Sequence, residues 1–375
     1  KRQREGKKMG IKIILLIIFF AVMAAVGIYS RRHVTSVDGF VLGGRSVGPW
    51  LTAFAYGTSY FSAVVFVGYA GQFGWKYGIA STWIGIGNAL IGSLLAWVVL
   101  GRRTKVMTQH LGSRTMPDFF GERYKSKSLK ITASVIVFVF LIPYTASVYN
   151  GLSRLFAMAF NIPYTWCVVT MAAFTALYVI LGGYMATAIN DFIQGIIMLI
   201  GIVAVIAAVL NGQGGFMNAI AEMAKIPSDV PLTQGQPGAF TSFFGPDPVN
   251  LLGVVLLTSL GTWGLPQMIG KFYAIKDEKS ISTGTIISTI FAIIISGGCY
   301  FLGGFGRLFD SPEIYDKAGG AVVYDSAKMT LEQVMEVIEQ AWKEHKEVVR
   351  LHTGDPCIYG AIREQMDAMD KFGIK

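Results

Sequence analysis

Two short polar clusters interrupt otherwise apolar stretches of this sequence, and both combine helix-breaking residues with polar side chains. They are residues 56–62, YGTSYFS, and residues 261–267, GTWGLPQ. An apolar helix that unwinds at such a point frees backbone carbonyls for a cation and brings polar groups to a solute. The side chains that we expect to contact a solute are Ser59, Tyr60, Ser62, Trp263 and Pro266. For the first cluster, the alternative is that small residues simply let helices pack closely.

One isolated carboxylate, Asp191, follows the pair Gly182-Gly183 at the start of a further apolar stretch. Ionisable groups are costly inside a membrane, so each one needs a partner or a function. Asp191 is a candidate ion ligand or proton site, or else a helix N-terminal charge that the helix dipole stabilises. Its position in the sequence does not separate these interpretations. We interpret Asn88 as a hydrogen-bonding residue between packed helices.

The elements that must carry these residues are membrane-spanning helices. Of the 375 residues, 53% are hydrophobic and only 15% are charged, whereas soluble domains average about 25% charged residues. Three cysteines are too few for a disulfide scaffold in a chain of this length. Apolar runs of about 20 residues, enough to cross a bilayer, predict eight spans at 11–29, 50–71, 79–100, 130–158, 163–182, 190–210, 249–270 and 283–305. We expect an all-α polytopic protein of the cytoplasmic membrane, with the lipid bilayer as partner and no nucleic acid despite the net charge of +9.

The distribution of Lys and Arg predicts the orientation of these spans. The loop 101–130 has eight basic residues against two acidic ones, and cytoplasmic loops are rich in basic residues. Alternation places the loops with Arg45 and with Lys271, Lys276 and Lys279 inside as well, and the loops 72–78, 159–163 and 211–248 outside. The basic segment 1–8 then falls outside, against the rule. Because Met9 follows it, we expect translation to start there and residues 1–8 to be an untranslated or non-native leader.

The two interrupted spans are the second and the seventh, so they are five spans apart. Paired interruptions at corresponding positions of two halves indicate a transporter built from inverted repeats, with its site near the membrane midplane. A channel or a receptor has no need of such a pair.

Four strings, in this order along the chain, resemble motifs of the sodium/solute symporter family. They are residues 40–46 (FVLGGRS), 83–88 (WIGIGN), 115–124 (TMPDFFGERY) and 177–194. The resemblance covers about residues 31–315. It implies a five-plus-five inverted-repeat fold preceded by one extra N-terminal helix. It also implies sodium-coupled symport of a small organic solute rather than an enzymatic activity, with Na⁺ as the coupling ion and no cofactor.

The family resemblance also implies site residues. Sodium is held by carbonyls at the first helix break, which here belong to Thr58 and Phe61, and Asp191 matches a carboxylate associated with sodium coupling. Proline carriers of the family have an Asp where this chain has Tyr60, which puts proline in doubt as the solute. Whether Na⁺ or H⁺ couples stays open. The resemblance reaches only seven core helices, so we expect the eighth, with its sodium-binding hydroxyls, to be missing and coupling to be impaired.

Residues 316–375 differ in character from the rest of the chain. They hold 8 Lys or Arg and 11 Asp or Glu, against 24 and 12 in residues 1–315. Residues 331–342 have the periodicity of an amphipathic soluble helix, 347–351 read as a strand, and a helix follows from 361. We therefore predict a membrane domain at 9–315 and a short α/β fragment at 316–375.

Residues 319–375 resemble an interior fragment of cobalt-precorrin-4 C11-methyltransferase, on the strings 324–332, 349–356 and 358–367. That family uses S-adenosylmethionine. The resemblance implies a vestigial cofactor cleft at Gly354, Asp355, Pro356 and Tyr359, and methyl transfer in cobalamin biosynthesis as the alternative function. So short a piece of an α/β sheet buries too little apolar surface to be stable alone, so we expect it to be inactive. A natural fusion, a frameshift, an assembly artefact and an engineered join are the origins to be separated.

Overall fold

The computed structural model of the chain describes residues 2–62, 64–160, 162–309 and 329–344, with the single positions 322, 346, 348 and 369. The chain divides into two compact units, Lys1–Asp310 and Ser311–Lys375. This division lies a few residues before position 316, where the change in charge predicted a boundary. The functions assigned to the two predicted domains stay predictions.

The described residues of the first unit are almost entirely helical. The helices are α1 Arg2–Ser30, α2 Val37–Leu42, α3 Pro49–Tyr60, α4 Ala70–Tyr77, α5 Thr82–Gly87, α6 Arg102–His110, α7 Met116–Tyr124, α8 Lys127–Phe160, α9 Tyr164–Gly212, α10 Phe216–Ala224, α11 Pro248–Leu260, α12 Pro266–Ala274, α13 Glu278–Ala292 and α14 Gly298–Gly304. Segments of π-helix adjoin several of them, at Val64–Tyr69, Asn88–Leu95, Trp97–Gly101 and Ile293–Gly297. Since π-turns inside helices are frequent at functional sites, they direct attention to α3, α5 and α13.

Among the described residues, five helical stretches are long and apolar enough to cross a membrane, and the bent pair α11–α12 adds a sixth. The five are Ile13–Ser30, Val64–His110, Lys127–Ala157, Tyr164–Gly212 and Glu278–Gly304. Two of these stretches, with 47 and 49 residues, are far longer than the roughly 20 residues that one crossing needs. The chain is a multi-pass membrane protein.

Glycines with positive φ divide both of the longest stretches. Gly78 ends α4 with φ 62°, and Gly183 lies inside α9 with φ 55° and ψ −147°. A side chain at Gly183 would also meet the Phe40 carbonyl oxygen, 2.8 Å from the position of its Cβ. Only glycine tolerates both the dihedral angles and the close approach. The two breaks fall beside the limits predicted between spans two and three and between spans five and six; the count of eight spans stays a prediction.

The first predicted interruption is present, but it lies later than the hydroxyl cluster. α3 continues to Tyr60, and the Phe61 N–H still donates to a carbonyl of the helix, at 2.8 Å. The next helical segment starts where two N–H groups donate to the Ser62 carbonyl, each at 3.0 Å. The hydroxyls do not break the helix because Thr58 Oγ1 donates to the Phe54 carbonyl one turn back, at 2.9 Å. Such back-bonding keeps a polar side chain compatible with a helix.

The second predicted interruption separates α11 from α12. After a 3₁₀ turn at Gly261–Gly264, Leu265 is extended (φ −74°, ψ 125°) and Pro266 opens α12. Proline suits the first turn of a helix because its missing N–H is not needed there. The two helices meet at 52°, so the predicted span 249–270 is a bent pair rather than one straight helix.

A buried aromatic cluster joins these elements to one another. The Trp97 ring is completely buried and makes edge contacts with Tyr56 of α3 at 5.5 Å and with Phe272 of α12 at 5.1 Å. Aromatic pairs in this arrangement add to the stability that burial alone provides. The cluster therefore joins α3 and α12, the helices that carry the candidate site residues Thr58, Ser59, Tyr60 and Pro266.

The loops predicted to be cytoplasmic meet at one end of the bundle. Arg45 donates to the carbonyls of Ser113 at 2.6 Å and Tyr273 at 3.4 Å. Beside it, Val47 forms a parallel bridge with Ile275. These contacts join the entry to α3 with the exit from α12, which agrees with the predicted placement of all three loops on the same side.

The loops predicted to be outside are also held together. Arg307, which follows α14, is almost buried and donates to the Trp75 carbonyl and to the Asp229 carboxylate, both at 2.7 Å. Its guanidinium lies 3.9 Å from the centre of the Phe240 ring. One side chain thus anchors the long loop 211–248 to the end of α4.

The described part of the second unit is the helix α15, Leu331–Lys343. Thr330 and Gln333 form a capping box at its start, and Val334 and Met335 are buried. This agrees with the amphipathic helix predicted at 331–342. The predicted helix from 361 and most of the predicted strand at 347–351 lie outside the described residues.

Candidate functional site

Asp191 lies on α9 and forms an ion pair with a lysine of α12. Lys271 Nζ is 3.5 Å from Asp191 Oδ2, and the two side chains are only 9% and 23% exposed. The ammonium also lies 5.3 Å from the centre of the Tyr184 ring. Breaking a half-buried pair by removing one partner is costly because the other charge is left uncompensated. Asp191 lies within α9, eight residues after the break at Gly183, so it is a paired charge inside the bundle; its function stays a prediction.

Thr58 of α3 faces the same carboxyl group. It is among the groups close to Asp191, and its hydroxyl hydrogen is donated to the Phe54 carbonyl at 2.9 Å. A hydroxyl has one hydrogen to donate, so in this structure the partner that holds the Asp191 carboxylate is Lys271. One turn earlier on α3, the Phe54 ring lies 4.8 Å from Phe192, the neighbour of Asp191. This packing sets the two helices at the right distance for Thr58 to face Asp191.

The carbonyls expected to hold a cation lie at the end of α3. Among the backbone hydrogen bonds of the described residues, none of those at this break ends on the carbonyl of Thr58 or of Phe61. A buried carbonyl usually has a partner, and an unpaired one is free to bind a cation. The Phe61 side chain is buried and stacks on Tyr60 with ring centres 4.4 Å apart. The break is therefore rigidly held on its side-chain face while its carbonyls stay available.

Tyr60 does not have a free hydroxyl for a solute. Its OH donates to the Thr258 carbonyl of α11 at 3.0 Å, so the side chain bridges the two interrupted helices. The Thr258 hydroxyl in turn donates to Asn88 Oδ1 at 2.9 Å, and Ser259 donates to the same atom at 3.1 Å. Asn88 therefore has the interhelical hydrogen-bonding role that the sequence predicted.

Trp263 is also engaged with the backbone. Its indole N–H donates to the Ile91 carbonyl at 3.0 Å. Pro266 lies elsewhere, in the wall of a cavity of about 530 Å³ that Gln267, Lys271 and Arg114 also line. Of the predicted solute residues, Pro266 lines this cavity, whereas Ser59, Tyr60, Ser62 and Trp263 do not. The assignments of the ion residues and of the solute residues stay predictions.

Lys271 was predicted to lie in a cytoplasmic loop, but in the structure it is buried on α12. The same helix carries Gln267, whose amide nitrogen and oxygen are both buried and have no hydrogen-bond partner among the described atoms. A lone lysine directly after an apolar run, in a chain with a lone aspartate inside another, was the signal that could have identified the pair.

A second ionic cluster supports the inner end of the bundle. Asp118, in α7, accepts from Lys130 Nζ at 2.5 Å and from the Arg114 N–H at 3.0 Å. Burial tends to raise the pKa of Asp118, but these hydrogen bonds and charges outweigh it and hold the pKa below its usual range. Asp118 is therefore an anchoring carboxylate of the inner loop.

The residues predicted to hold a cation offer oxygen donors. Within the described ranges, no three His, Cys, Asp or Glu side chains come together. Hard cations prefer oxygen ligands such as carboxylates, carbonyls and hydroxyls, and the set at Thr58, Phe61 and Asp191 consists of these. The residues of the vestigial cofactor cleft, Gly354, Asp355, Pro356 and Tyr359, lie outside the described residues.

Comparison with known families gives a match over most of the chain. The statistical model of the sodium:solute symporter family matches residues 40–339. The match continues beyond the predicted boundary at 315 and into α15. No comparison supports the methyltransferase resemblance of residues 319–375.

Individual relatives point the same way. The sodium/proline symporters of Staphylococcus aureus strains JH9 and JH1 are 33% identical over 276 residues, which is 72% of this chain and 51% of theirs. The chain thus spans about half the length of the curated relatives it matches. A Na⁺-coupled sialic acid symporter, solved in a substrate-bound outward-open state, superposes with a TM-score of 0.65 over 84% of this chain and 63% of that chain, at 16% identity. At that identity the likeness shows a shared fold alone.

Proposed function

This chain belongs to the sodium:solute symporter family, and we propose on that basis that it performs sodium-coupled symport of a small organic solute across the cytoplasmic membrane. The observation that supports the proposal is the packing of α3 against α9 beside Asp191, where the Phe54 ring lies 4.8 Å from the Phe192 ring. The helix that carries Thr58 and the helix that carries Asp191 are therefore neighbours. Membership of a transporter family also favours transport over enzymatic activity.

The proposed cation site consists of the carbonyls of Thr58 and Phe61 and the carboxylate of Asp191. Neutral carbonyls and one carboxylate suit a monovalent cation, which carries too little charge to need several acids. Because the carbonyls lie at the end of α3, movement at the helix break changes the cation's coordination directly. The cation therefore binds two conformations of the protein with different affinities, which coupling requires.

The two interrupted helices support an inverted-repeat arrangement. α3 ends at its break beside Tyr60, α11 and α12 meet at theirs beside Leu265, and the Tyr60–Thr258 hydrogen bond connects them. Val47 at the entry to α3 pairs with Ile275 at the exit from α12. We propose that α3–α9 and the chain from α11 onward form the two repeats, with α1 as the additional helix.

The solute is proposed to be a small amino acid or carboxylate. Proline and sialic acid, named for the two kinds of relatives, share a carboxylate group. Tyr60 is a neutral phenol whose OH is occupied by Thr258, so it does not supply a negative charge to a solute's amino group. The presence of Tyr60 in place of the aspartate of proline carriers counts against proline as the solute. Proline uptake is therefore the first to compare with the uptake of other solutes.

The methyltransferase resemblance of residues 319–375 stays a prediction. The described helix α15 has buried Val334 and Met335, a pattern that amphipathic helices of many folds share. Binding of S-adenosylmethionine to the purified chain tests it, and we expect none.

Uptake into proteoliposomes tests the proposed function. The purified chain is reconstituted, and uptake of labelled amino acids and small carboxylates is measured under an inward Na⁺ gradient, an inward H⁺ gradient and a choline control. Stimulation of one solute by Na⁺ alone supports the proposal. Stimulation by H⁺ alone would identify H⁺, and not Na⁺, as the coupling ion. Equal uptake in all three conditions for every solute overturns the proposal.

A further inference from the structure

The charge balance around Asp191 has a consequence for cation binding. In the structure the Asp191 carboxylate is paired with the Lys271 ammonium, and the two side chains are mostly buried. A cation added at Asp191 would bring a second positive charge close to this ammonium. Two like charges at short range in a poorly solvated site repel each other strongly. Either the cation binds Asp191 weakly, or the Lys271 ammonium moves away from Asp191 when the cation binds.

The geometry of the pair favours departure of the lysine. The distance of 3.5 Å is the longest among the ion pairs described in the first unit, the others measuring 2.5–2.7 Å. Among the described residues, Asp191 is the one acid paired with Lys271. The other contact of the ammonium is the face of the Tyr184 ring, at 5.3 Å from its centre. The ammonium is therefore held by a single loose ion pair.

A cavity beside Lys271 has room for its displaced ammonium. It lines the cavity of about 530 Å³ whose wall includes Gln267, Arg114 and Pro266. A lysine has a flexible four-carbon stem and a compact charged head, so rotation about its side-chain bonds moves the ammonium from Asp191 into this space. The helix α12 does not have to move for the exchange to occur.

We propose that Lys271 is a tethered counter-ion that competes with the coupling cation for Asp191. The inference rests on the proposed function, since it takes Asp191 to be a ligand of that cation. With the ammonium at Asp191 the site is neutral and closed to the cation; with the ammonium in the cavity the carboxylate is free to bind it. Lys271 thereby sets the cation affinity and promotes release of the cation.

Equilibrium binding of ²²Na⁺ to the purified full chain in nanodiscs tests the proposal. Lys271→Gln removes the competing charge but keeps a polar side chain, so we expect Na⁺ to bind about tenfold more tightly, in the range usual for coupling between sites. Lys271→Arg supplies a fork of donors that holds a carboxylate more firmly, so Na⁺ is expected to bind more weakly than in the parent. Lys276→Gln, at an exposed position five residues later, is the matched control and leaves the affinity unchanged.

A purely structural ion pair gives a different result. In that case Lys271→Gln weakens Na⁺ binding or leaves it unchanged, and either outcome overturns the inference. Heat denaturation with and without NaCl is the second readout: since Asp191 lacks its counter-ion in Lys271→Gln, added Na⁺ should raise Tm more in this variant than in the parent. An equal or smaller rise also overturns the inference.

Asp191→Asn separates failure of the inference from failure of the proposed function. If this variant binds Na⁺ like the parent, Asp191 is not a ligand and the proposed site is wrong. If it loses Na⁺ binding while Lys271→Gln does not gain any, the site stands and the role of Lys271 is wrong.

Discussion

The Tyr60 hydroxyl on α3 donates a hydrogen bond to the Thr258 carbonyl on α11 at 3.0 Å. Each of these residues lies just before the interruption of its own helix, so the bond connects the two broken helices next to their breaks. The Thr258 hydroxyl in turn hydrogen-bonds to Asn88. A polar network therefore crosses the bundle beside the proposed cation site.

Removing the Tyr60 hydroxyl tests the strength of this connection. Tyr60→Phe leaves the ring in place but leaves the Thr258 carbonyl without its donor, which we expect to cost about 1–3 kcal/mol of stability. Heat denaturation in detergent measures the loss. Tyr69→Phe is the control, since Tyr69 is 41% exposed, and its Tm should not change. An unchanged Tm for Tyr60→Phe would show that the bond does not hold the helices together.

Replacing Thr58 tests the hydroxyl that faces Asp191. Thr58→Val keeps the shape but removes the oxygen, so we expect Na⁺ to bind about three- to tenfold more weakly, as is usual when one polar contact of roughly 1 kcal/mol is lost. Thr58→Ser keeps the oxygen and should stay close to the parent. The check is the Na⁺ concentration for half-maximal binding, and equal values for valine and threonine would show that the hydroxyl does not influence cation binding at Asp191.

The break in α9 requires glycine at position 183. Gly183→Ala places a Cβ 2.8 Å from the Phe40 carbonyl oxygen at a φ of 55°, and such strain costs about 1–3 kcal/mol. Gly201→Ala is the matched control on the same helix, because a Cβ there has nothing within 4 Å. Alanine also stabilises helices relative to glycine, so Tm should fall for the first variant and hold or rise for the second. Equal Tm values would mean that α9 is not broken at Gly183.

The contribution of Asp118 to the stability of the folded protein is expected to depend on pH. Its pKa is held below the usual range by Lys130 and Arg114, against the opposing effect of burial. A lowered pKa stabilises the folded state above the unfolded value of about 3.9, and this contribution disappears as the pH falls through the lower folded value. Asp118→Asn should therefore lower Tm by the same amount between pH 8 and pH 5, and by progressively less below about pH 4. A loss that stayed constant at acidic pH would contradict the assignment.

The sequence predicted the two interruptions because these depend on local chemistry. Glycine and proline marked the second break, and the first follows Tyr60 within the predicted polar cluster. A lone carboxylate in a span made Asp191 a candidate ion residue, and that assignment stays a prediction. The burial of Lys271 was missed because it depends on the bend at Leu265, which brings the end of an apolar run back into the bundle. The engagement of Tyr60 with Thr258 was missed for a similar reason. Its partner lies on a helix far away in the chain, and the composition of either segment does not reveal it.

The central claim is that Asp191, together with the carbonyls at the end of α3, binds the coupling cation. Equilibrium binding of ²²Na⁺ to the purified chain and to Asp191→Asn tests this most directly. The proposed site predicts saturable binding in the parent and at least about a tenfold weaker affinity in the variant, as expected when a charged ligand is neutralised. Asp118→Asn, which neutralises a carboxylate outside the site, should bind like the parent. Equal Na⁺ affinity in the parent and in Asp191→Asn would contradict the account.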